Sequence, residues 1–363
     1  MTEMSVTVIS VKTRAVIVPM ARPLVTAGGA VDKAPLVLID LQTSSGAVGR
    51  AYIFAYHPWA LEPLVRMVDA LGENLVGAPF DPPAMHQNLL ATLRLLGWQG
   101  IAGMAVSGLD MAAWDAFGKE QGKPLYQILG GTDVPIPAYN SKGLGMVGPD
   151  RVGQEAQELL AEGFAAIKVR LGYATPEEDL AVVRAVKAAV PVGTPIMSDY
   201  NQSQSVESAS ERIELLDAEG LAWVEEPVRF DDFTSHAAVR EAARTPIQTG
   251  ENCWFPGDME KCLVAGASDL FMPDAGKIGG VTGWLEAARL GQKYNVPLSS
   301  HLYPEISVHL LAATPTRHWL EYVDWATPIL AEPLAVTDDA CRPPNKPGIG
   351  IDWDGDAIDI YAV

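Results

Sequence analysis

The stretch AAIKVRLGY, residues 165–173, is an apolar segment that carries two cations, Lys168 and Arg170, with Val169 between them. Its length and composition predict a short buried strand. Residues two apart on a strand project from the same face. Both cations therefore share one face, which we expect to point toward a functional site.

Strands of the same length recur along the chain between residues 133 and 325. Seven more are predicted: IPAYNS, PIMSDY, LAWVEEP, TPIQTGE, SDLFMPD, VPLSSH and HWLEYV. Amphipathic helix patterns such as TPEEDLAVVRAVKAAV and GVTGWLEAARLGQKYN lie between most of them. Eight such repeats predict an α/β fold with a (β/α) barrel. A doubly wound open sheet is the alternative, but no G-x-G-x-x-G follows an early strand.

The segments on either side of the barrel have different patterns. Residues 1–132 predict an α+β domain, with strands in SVTVISVKTRAVIVPM and APLVLIDLQTSSGAVGRAYIFAY and a helix in GMAVSGLDMAAWDAFGKEQG. Residues 133–325 form the predicted barrel domain. Residues 326–363 predict short strands between Pro- and Gly-rich turns, and we expect this segment to pack back on the first domain.

The composition is that of a soluble globular protein, with 48% hydrophobic and 20% charged residues. The formal net charge of −19 argues against nucleic acids and anionic membranes as partners. No apolar run approaches the roughly 18–20 residues that span a bilayer, and the start of the chain does not resemble a secretory signal. Three cysteines without C-x-x-C spacing suggest free thiols, so we expect a cytoplasmic protein.

Three carboxylates follow neighbouring predicted strands at a constant interval. Asp199, Glu225 and Glu251 are each 26 residues apart, which is one strand–helix unit. Function in such barrels lies at the carboxyl ends of the strands, so the three side chains are expected to converge. Converging carboxylates repel one another unless a cation binds them, and Mg²⁺ prefers such oxygen ligands. The alternative for each acid is that it only caps the following helix.

The remaining strand ends supply an acid–base pair and charges for a carboxylate substrate. Asp274 and His301 are 27 residues apart, so the aspartate can orient the imidazole as a general acid–base. Glu321 ends the last strand. Lys168 and Arg170 are placed to hold a small-molecule carboxylate and to stabilise the charge that develops when its α-proton leaves. The set predicts proton abstraction through an enediolate.

These motifs resemble the mandelate racemase family of the enolase superfamily, whose use of Lys or His bases and Mg²⁺ is a known pattern. The similarity covers essentially the whole chain and is densest in MSDYNQS, WVEEP, TGEN, MPDAGKIGGVTGW, SSHLYPEISVHLLAATPT and HWLE. It implies a (β/α)7β-type TIM barrel with an N-terminal α+β capping domain. It also implies a homo-oligomer.

The resemblance assigns roles to individual residues. It implies that Mg²⁺ is bound by Asp199, Glu225 and Glu251, and that Asp274 and His301 form the catalytic dyad. Substrate contacts are implied for Lys168, Glu321, Ser141, Asn201 and Tyr56. Glu321 would donate to a carboxylate oxygen, Asn201 would contact the α-hydroxyl, and Tyr56 would form a flap with residues 22–31. Lys277 matches a family lysine. A lysine near this position is the base in the muconate-lactonising branch, which the presence of His301 disfavours.

One departure from the family pattern leaves the reaction open. The racemase has Lys-x-Lys on the second strand and uses the second lysine as a base, whereas Arg170 occupies that position here. An arginine, with an ordinary pKa of about 12.5 or higher, is a poorer base and a better fixed charge. Racemisation of a 2-hydroxy acid is our first hypothesis. Dehydration of a sugar acid with His301 as the single acid–base is the second, and a non-catalytic acid-binding barrel is the third.

Overall fold

The computed structural model describes residues 6–363. The chain begins with an antiparallel sheet in the order β1–β2–β3, formed by Val8–Thr26, Gly29–Thr43 and Val48–Phe54. Four helices follow it: α1 (Pro58–Glu73), α2 (Pro82–Thr92), α3 (Ile101–Glu120) and the short α4 (Leu125–Ile128). This is the predicted α+β capping region. The hairpin between β1 and β2 places Thr26 opposite Gly29, inside the predicted flap.

Helix α3 packs directly on β3 because Gly49 has no side chain. A Cβ atom at Gly49 would lie 1.9 Å from the carbonyl oxygen of Ala112, so any larger residue would separate strand and helix. The position of β3 matters for function, because this strand runs from Val48 to Phe54 and ends just before Tyr56.

Parallel strands form the barrel. In chain order they are β4 (Ile136–Asn140), β5 (Ala166–Arg170), β6 (Ile196–Asp199), β7 (Trp223–Glu225), β8 (Ile247–Thr249), β9 (Leu270–Phe271) and β10 (Leu320–Tyr322). Each of β4 to β8 pairs with the next strand, and β10 pairs with β4. Side chains of Tyr139, Ala166, Met197 and Trp223 pack together in its interior.

The strand predicted at VPLSSH pairs with its neighbours through isolated β-bridges. Leu298 bridges Phe271 on one side and Arg317 on the other, and His301 bridges Asp274. Backbone hydrogen bonds also join the segment to both sides, since Ser299 N–H donates to the carbonyl oxygen of Phe271 and His318 N–H donates to that of Leu298. The segment thus occupies the place of a seventh strand between β9 and β10.

Seven helices alternate with the barrel strands: α5 (Pro149–Leu160), α6 (Pro176–Ala189), α7 (Val206–Leu216), α8 (Phe233–Ala242), α9 (Phe255–Val264), α10 (Gly280–Tyr294) and α11 (Pro304–Ala312). A capping box of Thr175 and Glu178 starts α6. With the segment at VPLSSH counted as a strand, the order is the predicted (β/α)7β barrel.

The tail contacts both other parts of the molecule. It contains a 3-10 helix (Thr327–Ile329), β11 (Val336–Thr337), β12 (Ala340–Cys341) and a helix α12 (Gly355–Tyr361) that the sequence pattern did not predict. Strand β12 pairs with β4, while Arg50 of β3 forms an ion pair with Asp352. The domain boundaries after residues 132 and 325 stay predictions. None of the helices within residues 6–363 combines the length and apolarity needed to cross a membrane.

Candidate active site

Three carboxylates, two buried and one partly buried, meet at the carboxyl ends of β6, β7 and β8. Oxygen atoms of Asp199, Glu225 and Glu251 lie within 4.8 Å of one another, as the 26-residue spacing predicted. Burial raises the pKa of Asp199 and of Glu225 above the usual range, so these two members of the cluster disfavour their negative charge. Burial would also raise the pKa of Glu251, but the cations His301, Lys168 and Lys277 lower it. A hard divalent cation with oxygen ligands would restore the ionised state and fits this donor set.

Lys168 is surrounded by these acids. Its Nζ atom lies 2.8 Å from Glu321 Oε1, 3.0 Å from Glu225 Oε1 and 3.6 Å from Asp199 Oδ2. Burial alone would lower the pKa of Lys168, but Glu225 and Glu321 raise it well above its usual value. Lys168 is therefore a fixed positive charge beside the carboxylate cluster.

Arg170 is held by the loop that follows β4. Its Nη1 donates to the carbonyl oxygen of Gly143 and its Nη2 to Ser141 Oγ, both at 2.7 Å. Ser141 in turn donates to Glu321 Oε1 at 2.7 Å. The buried Nε of Arg170 has no hydrogen-bond partner among the described residues. The guanidinium is thus fixed in place, with its Nε–H unpaired within residues 6–363.

His301 and Asp274 form the predicted pair. Asp274 Oδ2 lies 2.6 Å from His301 Nδ1, which leaves Nε2 directed at Glu251 Oε2 at 3.1 Å and Glu321 Oε2 at 3.9 Å. Burial alone would lower the pKa of His301, but the carboxylates of Glu251, Glu321 and Asp274 raise it. The imidazole is oriented by one acid and presents its other nitrogen to the site.

Glu321 accepts hydrogen bonds in this arrangement. Burial tends to raise its pKa, but the cations Lys168 and His301 lower it well below the usual range. The backbone N–H of Leu302 donates to Glu321 Oε2 at 2.9 Å. The donor role that the resemblance implies for Glu321 would therefore require it to gain a proton when a substrate binds.

Left-handed backbone conformations follow several of the strand ends. Asn201, Glu226 and Leu302 have φ angles of 46°, 34° and 49°. Such angles are uncommon for residues other than glycine and are frequent at functional sites. At Asn201 the turn brings the side-chain amide back to Asp199 Oδ2 at 3.0 Å. The Oδ1 atom of Asn201 is buried and finds no partner within the described structure.

The site opens into a small cavity of about 150 Å³ under the capping sheet. The side chains that form its apolar wall are Leu24, Val31, Phe54, Leu302, Val323 and Trp325. The Phe54 ring centroid lies 4.7 Å from that of Tyr56 and 4.9 Å from that of Trp325. The Tyr56 hydroxyl is buried and has no partner in residues 6–363. The flap was predicted, whereas Phe54 and Trp325 were missed because no polar pattern marks an apolar wall.

A second polar group beside the carboxylates was also missed. Asn252 Nδ2 donates to Glu251 Oε1 at 3.0 Å and to Glu226 Oε2 at 2.8 Å. Asn252 Oδ1 accepts from Lys277 Nζ at 2.7 Å. Their place in the sequence could have indicated them, because Glu226 and Asn252 each directly follow a predicted metal ligand.

Family models match most of the chain. Residues 8–130 match the mandelate racemase / muconate lactonizing enzyme N-terminal domain, and residues 151–357 match the enolase C-terminal domain-like family. The chain belongs to the mandelate racemase and muconate lactonizing enzyme family of the enolase superfamily. This membership confirms the predicted family and the predicted combination of capping domain and barrel.

Relatives within this family catalyse different reactions. The chain is 32% identical to the L-talarate/galactarate dehydratase of Salmonella typhimurium over 77% of this chain and 71% of the relative. It is also 32% identical to the 3,6-anhydro-alpha-L-galactonate cycloisomerase of Streptomyces coelicolor, over 92% and 93%. A solved enolase from Bradyrhizobium, complexed with magnesium and mandelic acid, superposes with a TM-score of 0.95 at 44% identity and covers 99% of both chains.

Proposed function

We propose that the protein is a Mg²⁺-dependent enzyme that removes the α-proton of a 2-hydroxy carboxylate and racemises or epimerises it through an enediolate. The observation that carries the proposal is a set of three buried polar atoms without partners: Arg170 Nε, Asn201 Oδ1 and Tyr56 Oη. All three residues line the cavity beside the carboxylate cluster. Because unpaired buried polar atoms are costly, a bound polar molecule that satisfies them explains their presence.

Asp199, Glu225 and Glu251 would hold the metal ion, as the convergence of their oxygens and the raised pKa values of Asp199 and Glu225 support. When bound, Mg²⁺ would neutralise the charge that develops on the substrate carboxylate. Lys168 and the unpaired Nε–H of Arg170 would contact carboxylate oxygens. Asn201 Oδ1 is an acceptor and suits the α-hydroxyl, which has a proton to donate.

His301 Nε2 would take the α-proton and return it. Asp274 keeps the proton on Nδ1 and stabilises the imidazolium that forms. This pair defines one face of the substrate. Racemisation additionally requires proton transfer on the opposite face, where Arg170 occupies the position of the family's second base.

The shape of the cavity favours a 2-hydroxy acid with a compact apolar substituent. A volume of about 150 Å³ is below the roughly 300 Å³ typical of pockets for larger organic ligands. Its capping wall consists mainly of Phe54, Trp325 and aliphatic side chains. The several hydroxyl groups of a sugar acid would find few hydrogen-bond partners there.

Dehydration of a sugar acid is the second candidate, and the fixing of Arg170 favours it. Because the guanidinium donates to Gly143 and Ser141, it acts as a static charge more readily than as a base. A dehydratase needs only His301, which can remove the α-proton and then protonate the departing β-hydroxyl. The similarity to L-talarate/galactarate dehydratase also supports this candidate.

Incubation in D₂O with Mg²⁺ and single enantiomers of 2-hydroxy and sugar acids tests both candidates. Racemisation places deuterium at Cα of both enantiomers and forms no keto acid. Dehydration releases a 2-keto-3-deoxy acid. Absence of any Mg²⁺-dependent exchange or turnover across the library would contradict the proposed function and support an acid-binding barrel.

We further propose that the enzyme works in the cytoplasm as a homo-oligomer. The three free, buried cysteines suit a reducing compartment. The exposed side chains of Leu95, Leu96 and Trp98 form an apolar surface that a second copy would cover. Light scattering tests the assembly, and a monomeric mass at micromolar concentration would contradict it.

A further inference from the structure

Lys277 is a buried cation that the proposed proton transfer does not use. Its side chain is 5% exposed, and Lys277 does not belong to the residues that line the substrate cavity. The Nζ atom donates to Asn252 Oδ1 at 2.7 Å and lies 4.5 Å from the centroid of the Tyr56 ring. Burying an ammonium group is costly unless its contacts compensate, so these two contacts need an explanation.

The contact with Asn252 determines which way that amide points. A side-chain amide has one accepting and one donating end. Because Lys277 only donates, the end that faces it must be the oxygen. The NH₂ group is thereby turned toward Glu251 Oε1 and Glu226 Oε2, and its two hydrogens match these two acceptors. A flipped amide would place its oxygen against both carboxylates.

The contact with Tyr56 connects the same lysine to the capping sheet. Tyr56 follows β3 with a φ angle of 61° and carries its hydroxyl into the cavity wall. An ammonium over a tyrosine ring at this distance is a cation–π contact, which is stronger where water is excluded. One side chain therefore touches a residue of the flap and a residue that orients Glu251.

We propose that Lys277 is a positioning residue, which locks the amide of Asn252 and so fixes Glu251 in the orientation that binds the metal, while it holds the Tyr56 ring above the site. The inference rests on the proposed function in one respect, namely that Glu251 is a metal ligand. It assigns Lys277 a structural task in place of the base role that a nearby lysine has in the muconate-lactonising branch.

If Lys277 acted only through its charge, its removal would change the Mg²⁺ affinity in the opposite direction. As a nearby positive charge, Lys277 would repel Mg²⁺, so replacing it by a neutral residue would tighten metal binding. As a positioning residue, its loss would weaken binding, and outer residues of this kind typically change metal affinity by about 10–100-fold. The direction of the change therefore distinguishes the two roles.

The experiment is calorimetric titration of the full chain with MgCl₂ alone, which needs no substrate. Wild type, Lys277→Met, Asn252→Ala and the double variant are compared, with Lys261→Met as the control. Lys261 is an exposed cation paired with Asp258 at 2.9 Å, away from the site. Thermal melting of each variant verifies that it is folded.

We expect Lys277→Met and Asn252→Ala each to bind Mg²⁺ about 10-fold or more weakly, and the control to match the wild type. The Mg²⁺ affinity of the double variant should lie within about twofold of that of the weaker single variant, because both substitutions break the same hydrogen bond between Lys277 and Asn252. Unchanged or tighter binding by Lys277→Met, or fully additive losses, would overturn the positioning role. A wild type that does not bind Mg²⁺ would instead refute the proposed function.

A second substitution covers the case in which Lys277→Met does not fold. Lys277→Gln retains an N–H donor for Asn252 Oδ1 but has no charge. The positioning role predicts that this variant loses less Mg²⁺ affinity than Asn252→Ala. A loss as large as that of Asn252→Ala would overturn it.

Discussion

Arg170 illustrates how one side chain can limit the chemistry of a whole site. It shares a strand face with Lys168, but its hydrogen bonds go to Gly143 and Ser141, whereas Lys168 pairs with carboxylates. A lysine has fewer donors and loses its proton more readily than an arginine. The identity of residue 170 thus bears directly on whether the enediolate can be protonated from both faces.

Arg170→Lys should increase proton transfer on the face opposite His301. Deprotonation at pH 7 costs an ordinary lysine about 3 kcal/mol less than an ordinary arginine. We expect faster deuterium incorporation into the enantiomer whose α-proton faces residue 170, measured by ¹H NMR in D₂O. Arg170→Met, which offers no base, is the control. Equal exchange rates in both variants would contradict a role for residue 170 in proton transfer.

His301→Asn should abolish proton transfer on its own face. Positioned acid–base groups contribute about 10²–10⁴-fold to rates, so turnover should fall by at least the lower value. Exchange on the opposite face, if it persists, reveals a second base. His318→Asn, which changes a histidine bonded to Ser299, serves as the control. Turnover within threefold of wild type in His301→Asn would argue against the dyad.

Asp199→Asn should remove a metal ligand and with it the activity. We expect the Mg²⁺ dissociation constant to rise by more than the about 10–100-fold typical of residues outside the ligand set. Asp231→Asn alters an exposed aspartate paired with Arg229 and should leave binding unchanged. Normal Mg²⁺ titration of Asp199→Asn would show that the cluster is not the metal site.

At the scale of elements, Asp179 joins the loops that follow two neighbouring barrel strands. It is fully buried on α6 and accepts from the N–H groups of Gly172 and Tyr173, each at 2.9 Å, and from the Tyr200 hydroxyl at 3.0 Å. Arg212 of α7 forms an ion pair with Asp179. These contacts fix the ends of β5 and β6, from which Arg170 and Asp199 project.

Arg212→Met should destabilise the fold strongly because it leaves Asp179 as an unpaired buried charge. Removing one partner of a buried pair costs about 3–5 kcal/mol. The free energy of unfolding in urea gives the measurement. Arg184→Met removes an exposed partner of Glu219 and should cost less than about 1 kcal/mol. Similar losses in the two variants would contradict a special role for the buried pair.

The regular elements were predictable where apolar runs and spacing agree. The intervals between Asp199, Glu225 and Glu251 identified three strand ends that the structure brings together. The pattern could not show that β9 contains only Leu270 and Phe271, because the pairing partners that limit a strand lie elsewhere in the chain. The hydrogen bonds of Lys277 and Asn252 likewise could not be predicted from the sequence, since the orientation of these side chains depends on tertiary packing.

At the scale of the whole molecule, the buried histidine His309 connects segments that are distant in the sequence. His309 of α11 accepts from the Tyr126 N–H at 3.3 Å through Nδ1, and its Nε2 donates to the carbonyl oxygen of Ile349 at 3.0 Å. It thereby joins the barrel to α4 and to the C-terminal tail. Burial lowers the pKa of His309 to about 4.

Stability should therefore fall in mild acid. The pKa of His309 is about 4 in the folded state and about 6.5 in the unfolded state, so below pH 6.5 the unfolded chain binds the extra proton. The contribution of His309 is complete above about pH 6.5 and is lost as the pH falls toward 4. The loss amounts to roughly 3 kcal/mol.

Urea unfolding of wild type and His309→Gln at several pH values isolates this effect. The carboxylates contribute equally to the unfolding free energies of both proteins, so their contribution cancels when one free energy is subtracted from the other. We expect the stability advantage of wild type to shrink by roughly 3 kcal/mol between pH 7 and pH 4. His57→Gln changes an exposed histidine and should show a constant difference. A constant difference for His309→Gln as well would refute the assignment.

The pairing of β10 with β4 has a consequence for how the protein is made. Ala138 of β4 lies opposite Leu320 of β10. The first barrel strand can therefore pair with β10 only after a further 182 residues have been synthesised. Such long-range pairings slow folding, because a large loop must close before the contact forms. A chain interrupted before residue 320 would leave β4 without this neighbour, and Ser141 and Lys168 without Glu321. The enzyme can acquire its chemistry only after Glu321 has been synthesised and β10 has paired with β4.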